Sequence, residues 1–344
     1  MTIPRNLLVD VAVTRYYHCI SRCVRRAQLC GDGFEHRKQW IEERLEALSK
    51  CFAVSVCGFS VMDNHLHVLA RLDPAEAETW SDEEVVRRWV TVYPPKTMQG
   101  QEIELNQAWF DFQTRDAKRV ASLRERLSSL GWFMKALKEP LARMANKEDA
   151  CKGTFWEARY KSIAILDEEA LLATCAYIDL NPVAAGIAAR PETSPHTSVR
   201  QRVRHVRAKG KLDALRKAAD GSVAGSRALG NVEEDLWLCP LEDRRQRDGT
   251  REGMLEEFSL GSYLLLVDYT SRLCRQGKAR VDRKVASILD RLGTSADVWQ
   301  HRMKKLLSQS RPYGSFFATD RQRLRELADQ RGVHHLDNLT VAIN

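Results

Sequence analysis

Residues 52–72 carry a hydrophobic period of two. Within FSVMDNHLHVLARL, Phe59, Val61, Leu66 and Val68 alternate with polar or small neighbours, and the run is rich in strand formers. This predicts two strands, 52–62 and 65–72, antiparallel across a tight turn at Asp63 and Asn64. A strand is also expected over 14–24 (TRYYHCISRCV), ending in a basic turn at Arg22, Arg25 and Arg26. Another closes the run GTFWEARYKSIAIL, residues 153–166. Elsewhere the period is that of a helix. Trp40, Ile41, Leu45 and Leu48 mark one within 34–51, and similar patterns cover 74–89, 116–146 and 168–180. Asp167 stands at the capping position of the last, with acidic residues in its first turn. The prolines and glycine of YPPKTMQGQEIELNQ break the pattern into a loop or insertion. The order strand, helix, strand, strand, helix, strand, helix predicts an α+β fold. It would be a ferredoxin-like or RRM-like antiparallel sheet with helices on one or both faces.

After Arg190 the character changes. Residues 191–245 are Ser/Thr/Pro-rich and then strongly basic, and read as a basic linker; 246–344 read as a helical accessory domain. The first domain is then 1–190, with an insertion at about 75–125. No internal repeat is visible. The 344 residues carry a formal charge of +8, which suits a polyanionic partner without requiring one. Nine cysteines without a CxxC pair fit reduced thiols rather than a disulfide framework. No apolar run approaches the length of a membrane span. A cytoplasmic protein is expected.

The candidate chemistry starts at His65 and His67. In a strand, residues i and i+2 share a face, so both imidazoles point the same way and Leu66 points to the other layer. That is either a two-pronged metal grip or a pair of half-buried histidines satisfied by neighbours. The second candidate pair lies in DEEALLATCAYIDLNPVAAGI, where Tyr177 and Asn181 are one helical turn apart. Pro182 disfavours helix at the residue before it, so the helix is expected to end at Asn181. A nucleophile beside a ligand and an ordinary core tyrosine beside a helix stop both fit this segment alone.

Together, HLH within MDNHLHVLARL and the tyrosine of YIDLNPVAAG resemble the HUH-type single-tyrosine transposases. These include insertion-sequence transposases of single-stranded DNA and the REP-associated tyrosine transposases. YHCISRCVRR and FWEARYKSIAI add to the resemblance, which covers roughly residues 10–190. It implies that Tyr177 attacks a DNA phosphate to give a 5′-phosphotyrosine, and that His65, His67 and Asn181 hold Mg²⁺ or Mn²⁺. The partner would be single-stranded DNA, hairpin-bearing in that family. Strand exchange with one tyrosine needs two subunits or one site used twice, so a homodimer stays open. No GxxxxGK[ST] loop is present, in agreement with a reaction that needs no nucleotide cofactor.

Candidate DNA contacts are Arg22, Arg25 and Arg26, with Arg159 and Lys161 around Tyr160, and Trp156 or Tyr160 to stack on an unpaired base. The densest basic run is Arg200, Arg202, Arg204, Arg207, Lys209 and Lys211. It reads as a backbone-binding patch or as a solvated linker. A replication initiator or relaxase of the same chemistry, and a non-catalytic nucleic-acid-binding regulator, are the competing readings.

Overall fold

In the computed structural model, the described residues are 9–31, 33–276, 283–308, 316–319 and 321–330. The first strand, β1 (Tyr16–Arg22), leads through α1 (His36–Ser49) to β2 (Val54–Val61) and β3 (His65–Leu72). The β2–β3 pair is antiparallel across the Asp63–Asn64 turn, as the alternation requires. The expected insertion is a helical set: α2 (Pro74–Thr79), α3 (Asp82–Val92), α4 (Gln107–Thr114) and α5 (Ala117–Leu127). Then come α6 (Leu130–Glu148), β4 (Lys161–Ile165) and α7 (Glu168–Ala184).

The main sheet has the order β2-β3-β1-β4-β7, with β7 (Phe316–Phe317) added at the far edge. All its pairings are antiparallel except β4–β7, which is parallel. The fold is α+β, as expected, with β1 at the centre. Both sheet faces are buried. Leu66, Val68 and Ala70 fill one, and α7 lies across the other, where its Asn181 reaches His67. Almost every residue of α7 is buried, which is why its sequence lacks an amphipathic pattern.

Two expectations fail here. The helix does not stop at Asn181: Pro182 lies within α7, which runs to Ala184. Proline removes one amide donor, yet Pro182 and Val183 are buried and the turn is closed by Ala185 N–H on Asn181 O at 3.0 Å. Burial outweighs the local bias. Residues 191–245 are not an open linker either. They form α8 (Ser198–Ala208), α9 (Leu212–Ala219), α10 (Val223–Glu233) and the short β5 (Glu242–Asp243). On α8, Val199, Arg202, Val203 and Val206 are buried at helical spacing, and the helix packs on β2.

The remainder is α11 (Arg245–Asp248), β6 (Leu255–Glu256), α12 (Leu260–Gln276), α13 (Arg283–Arg291), α14 (Ala296–Ser308) and α15 (Arg321–Gln330). It is largely helical among the described residues, and α12 and α14 pack directly on α7. Asp179 of α7 is fully buried there. Its carboxylate accepts from Ser198 Oγ at 2.6 Å, Val199 N–H at 2.9 Å and Tyr263 Oη at 2.5 Å. Arg302 of α14 pairs with Glu169 near the start of α7. No helix among the described residues is long and apolar enough to cross a membrane.

Candidate active site

Strand alternation places His65 and His67 on the α7 side of β3, and Asp167 sets the phase of the helix above them. Its side chain caps α7 by accepting from Ala170 N–H at 2.8 Å. About two turns in from Asp167, Thr174 is buried; Tyr177 and Asn181 follow on the sheet-facing side. The ring of Tyr177 meets that of His67 edge-on, centroids 5.3 Å apart. Asn181 Nδ2 lies 3.5 Å from His67 Nε2. The Asn181 side chain also influences His65 and the Tyr177 oxygen. The two histidine rings are 4.8 Å apart. The four residues expected from sequence are therefore neighbours in one chain.

Sequence reasoning missed His18. It lies on β1, opposite Leu69 of β3, on the same face as His67. Its Nε2 is 2.9 Å from His67 Nδ1, and its ring is 5.9 Å from that of Tyr177. The alternation of His18, Ile20 and Arg22 along the first strand was the available signal.

The electrostatics follow from burial and two cations. Burial, then the Arg22 charge, holds His65 at about 4. Burial, then the neighbouring rings and Arg22, holds His67 well below the ordinary imidazole range. Burial, then Lys161, holds His18 at about 3. All three rings are neutral at pH 7, so each carries one N–H and one lone pair. Burial raises the Tyr177 phenol, opposed by the Asn181 hydrogen bond and Arg22. The side chain is only 5% exposed, and its hydroxyl is influenced by the Asn181 side chain and the Arg22 charge. Among the described residues, no group of three or more His, Cys, Asp or Glu is placed to hold a metal. The residues that could hold a divalent ion are two imidazoles and an amide, a set that would leave positions for phosphate oxygens and water.

The expected DNA contacts divide. Arg22 and Lys161 flank the site. Arg25 and Arg26 are exposed on the loop after β1 and both take the left-handed backbone region, φ 53° and 57°. That loop is tied to the β2–β3 turn by Cys23 N–H on Asn64 O and Cys30 N–H on Asp63 O, each 2.8 Å. Arg159 is exposed and Trp156 half-buried, its Nε1–H donated to Lys138 O at 3.1 Å. Tyr160 is buried and presents no stacking face. Arg200 is half-buried and Arg204 exposed on α8. Arg202 is a correction: it is fully buried, paired with Glu233 at 2.8 Å and donating to Cys57 O and Cys239 O. It is a core ion pair, out of reach of DNA.

No family model matches the chain, and no curated protein does. Among solved structures, the chain is similar to a REP-associated tyrosine transposase bound to a REP hairpin, at 13% identity and a TM-score of 0.33. The match covers 55% of this chain and 78% of that one.

Proposed function

We propose that this protein is a DNA strand-transfer enzyme of the single-tyrosine class, a transposase that cleaves and rejoins single-stranded DNA through Tyr177. The observation that carries the reading is the convergence of Tyr177, Asn181, His65 and His67 beside Arg22, from three separate elements.

In the proposed reaction the Tyr177 oxygen bonds to phosphorus, the bond to the 3′ oxygen breaks, and the phenolic proton is matched by one taken up on that oxygen. Arg22 and Lys161 draw the backbone phosphate to the mouth of the site. The Asn181 amide orients the phenol. Mg²⁺ or Mn²⁺, held by His65, His67 and Asn181, would supply Lewis-acid stabilisation of charge on a non-bridging phosphate oxygen. In the return step a phenol, with a free pKa of about 10, leaves more readily than an alcohol. The phosphodiester energy is kept in the covalent link, so rejoining needs no nucleotide.

The test is incubation with labelled single-stranded hairpin oligonucleotides and Mg²⁺ or Mn²⁺, followed by denaturing electrophoresis. A metal-dependent covalent adduct that Tyr177→Phe abolishes is expected. An adduct that persists in the Phe variant refutes the nucleophile. Tight binding by the unaltered protein without any adduct favours a non-catalytic regulator.

A further inference from the structure

Resting on the metal reading above, we infer that His18 is a positioning residue for His67: its Nε2 accepts the Nδ1–H of His67 and thereby leaves His67 Nε2 bare for a cation.

The inference starts from one contact. His18 Nε2 and His67 Nδ1 are 2.9 Å apart, hydrogen-bond distance for two ring nitrogens. Such a bond needs one N–H and one lone pair. Two arrangements satisfy it, and they differ at the far side of His67. If His67 donates, its Nε2 carries a lone pair aimed at Asn181 and Tyr177. If His18 donates, His67 Nε2 carries the proton and is closed to a metal. The bond therefore ties the ligand capacity of His67 to the role of its neighbour.

The surroundings make His18 a rigid partner. It has no exposed surface and sits on the central strand, opposite Leu69 on one side and Ile163 on the other. Its ring stacks on that of His67, centroids 5.1 Å apart and planes 29° apart. It cannot swing away.

His65 supplies an independent parallel. Its Nδ1 is 2.6 Å from Asn64 Oδ1. The Asn64 amide is oriented by its own Nδ2, which donates to Arg26 O at 3.3 Å. An amide oxygen only accepts, so His65 Nδ1 holds the proton and its Nε2 is bare. Both histidines of the pair then keep the proton on Nδ1, each toward a different acceptor, and carry the lone pair on Nε2, which in His67 lies 3.5 Å from Asn181 Nδ2. Partners of this kind are worth about 10- to 100-fold in metal affinity.

The experiment measures Mn²⁺ binding, by the electron paramagnetic resonance signal of free Mn²⁺, for the unaltered protein, His67→Ala, His18→Leu and His18→Gln. Loss in His67→Ala, a loss of about 10- to 100-fold in His18→Leu and substantial recovery in His18→Gln, whose carbonyl can accept, are expected. Full affinity in His18→Leu, or no recovery in His18→Gln, overturns the positioning role while leaving the metal site standing. Absence of Mn²⁺ binding in the unaltered protein, or binding indifferent to His67→Ala, overturns both. Long-range ¹⁵N–¹H correlation on histidine-labelled unaltered protein gives a readout that needs no variant. His67 protonated on Nδ1 is expected; protonation on Nε2 overturns the inference.

Discussion

Tyr263→Phe removes one oxygen atom from a closed network and nothing else. The lost hydroxyl is one of three donors to the buried Asp179 carboxylate, the others being Ser198 Oγ and Val199 N–H. A hydrogen bond to a charged group contributes about 1.5–3 kcal/mol. The folded-to-unfolded ratio at pH 7 should therefore drop roughly 10- to 100-fold. Burial raises the Asp179 carboxyl, and the Tyr263 bond opposes that shift by favouring the anion. Removing it raises the carboxyl further. Once the acid is protonated, the same hydroxyl is worth only about 0.5–1.5 kcal/mol. The cost of the substitution must then shrink as pH falls. Urea unfolding followed by circular dichroism, at pH 7 and at the lowest pH where the fold persists, reads both values. A loss below about 0.5 kcal/mol at pH 7, on the scale of ordinary surface substitutions, would refute the reasoning. So would an equal loss at both pH values, which would indicate packing alone.

Three further outcomes are expected. Arg202→Ala should cost about 3–5 kcal/mol by stranding Glu233, while the affinity of the folded variant for single-stranded DNA, read by fluorescence anisotropy, stays unchanged. His18 and His65 titrate at about 3 and about 4 when folded, against an ordinary value near 6.5, so the unfolded chain binds more protons between those limits and stability is lost as pH falls through that window. Denaturant titrations from pH 7 to 5 should show the decline, and His18→Leu should flatten it. Finally, a mixture of Tyr177→Phe with His67→Ala should form no covalent adduct, because each chain joins its own tyrosine to its own histidines. Adduct formation by the mixture would mean exchange of α7 between subunits.

Where a single period governed a segment, the sequence was easy to read. β3 begins and ends where the alternation does, at His65 and Leu72. Asp167 marks the start of α7 because capping is a local event. The end of α7 was misread because the rule for residues before proline is also local, and it yields to the burial of Pro182 and Val183. Arg202 was misread as surface from its basic neighbours alone. Its spacing from Val199, Val203 and Val206 marks a buried helical stripe, the pattern that should have been weighed first. Strand and helix periods put His65 with His67, and Tyr177 with Asn181, on shared faces, but only the family resemblance joined the two pairs. His18 was missed because the alternation along β1 gives its face but not its neighbour, and the β1–β3 register is what brings it to His67. The bond from Tyr263 to Asp179 crosses 84 positions and leaves no trace in either segment.

That bond also joins the fates of two stretches of gene. The acid at 179 is tolerable only while hydroxyls at 198 and 263 and the amide of Val199 meet it, and α7 is watertight only beneath α12 and α14. A shortened descendant ending near residue 190 could not simply shed its tail. It would have to acquire a neutral side chain at 179 and a polar outer surface on α7 at the same time. Relatives lacking the tail should therefore be recognisable by what stands at those positions before their length is known.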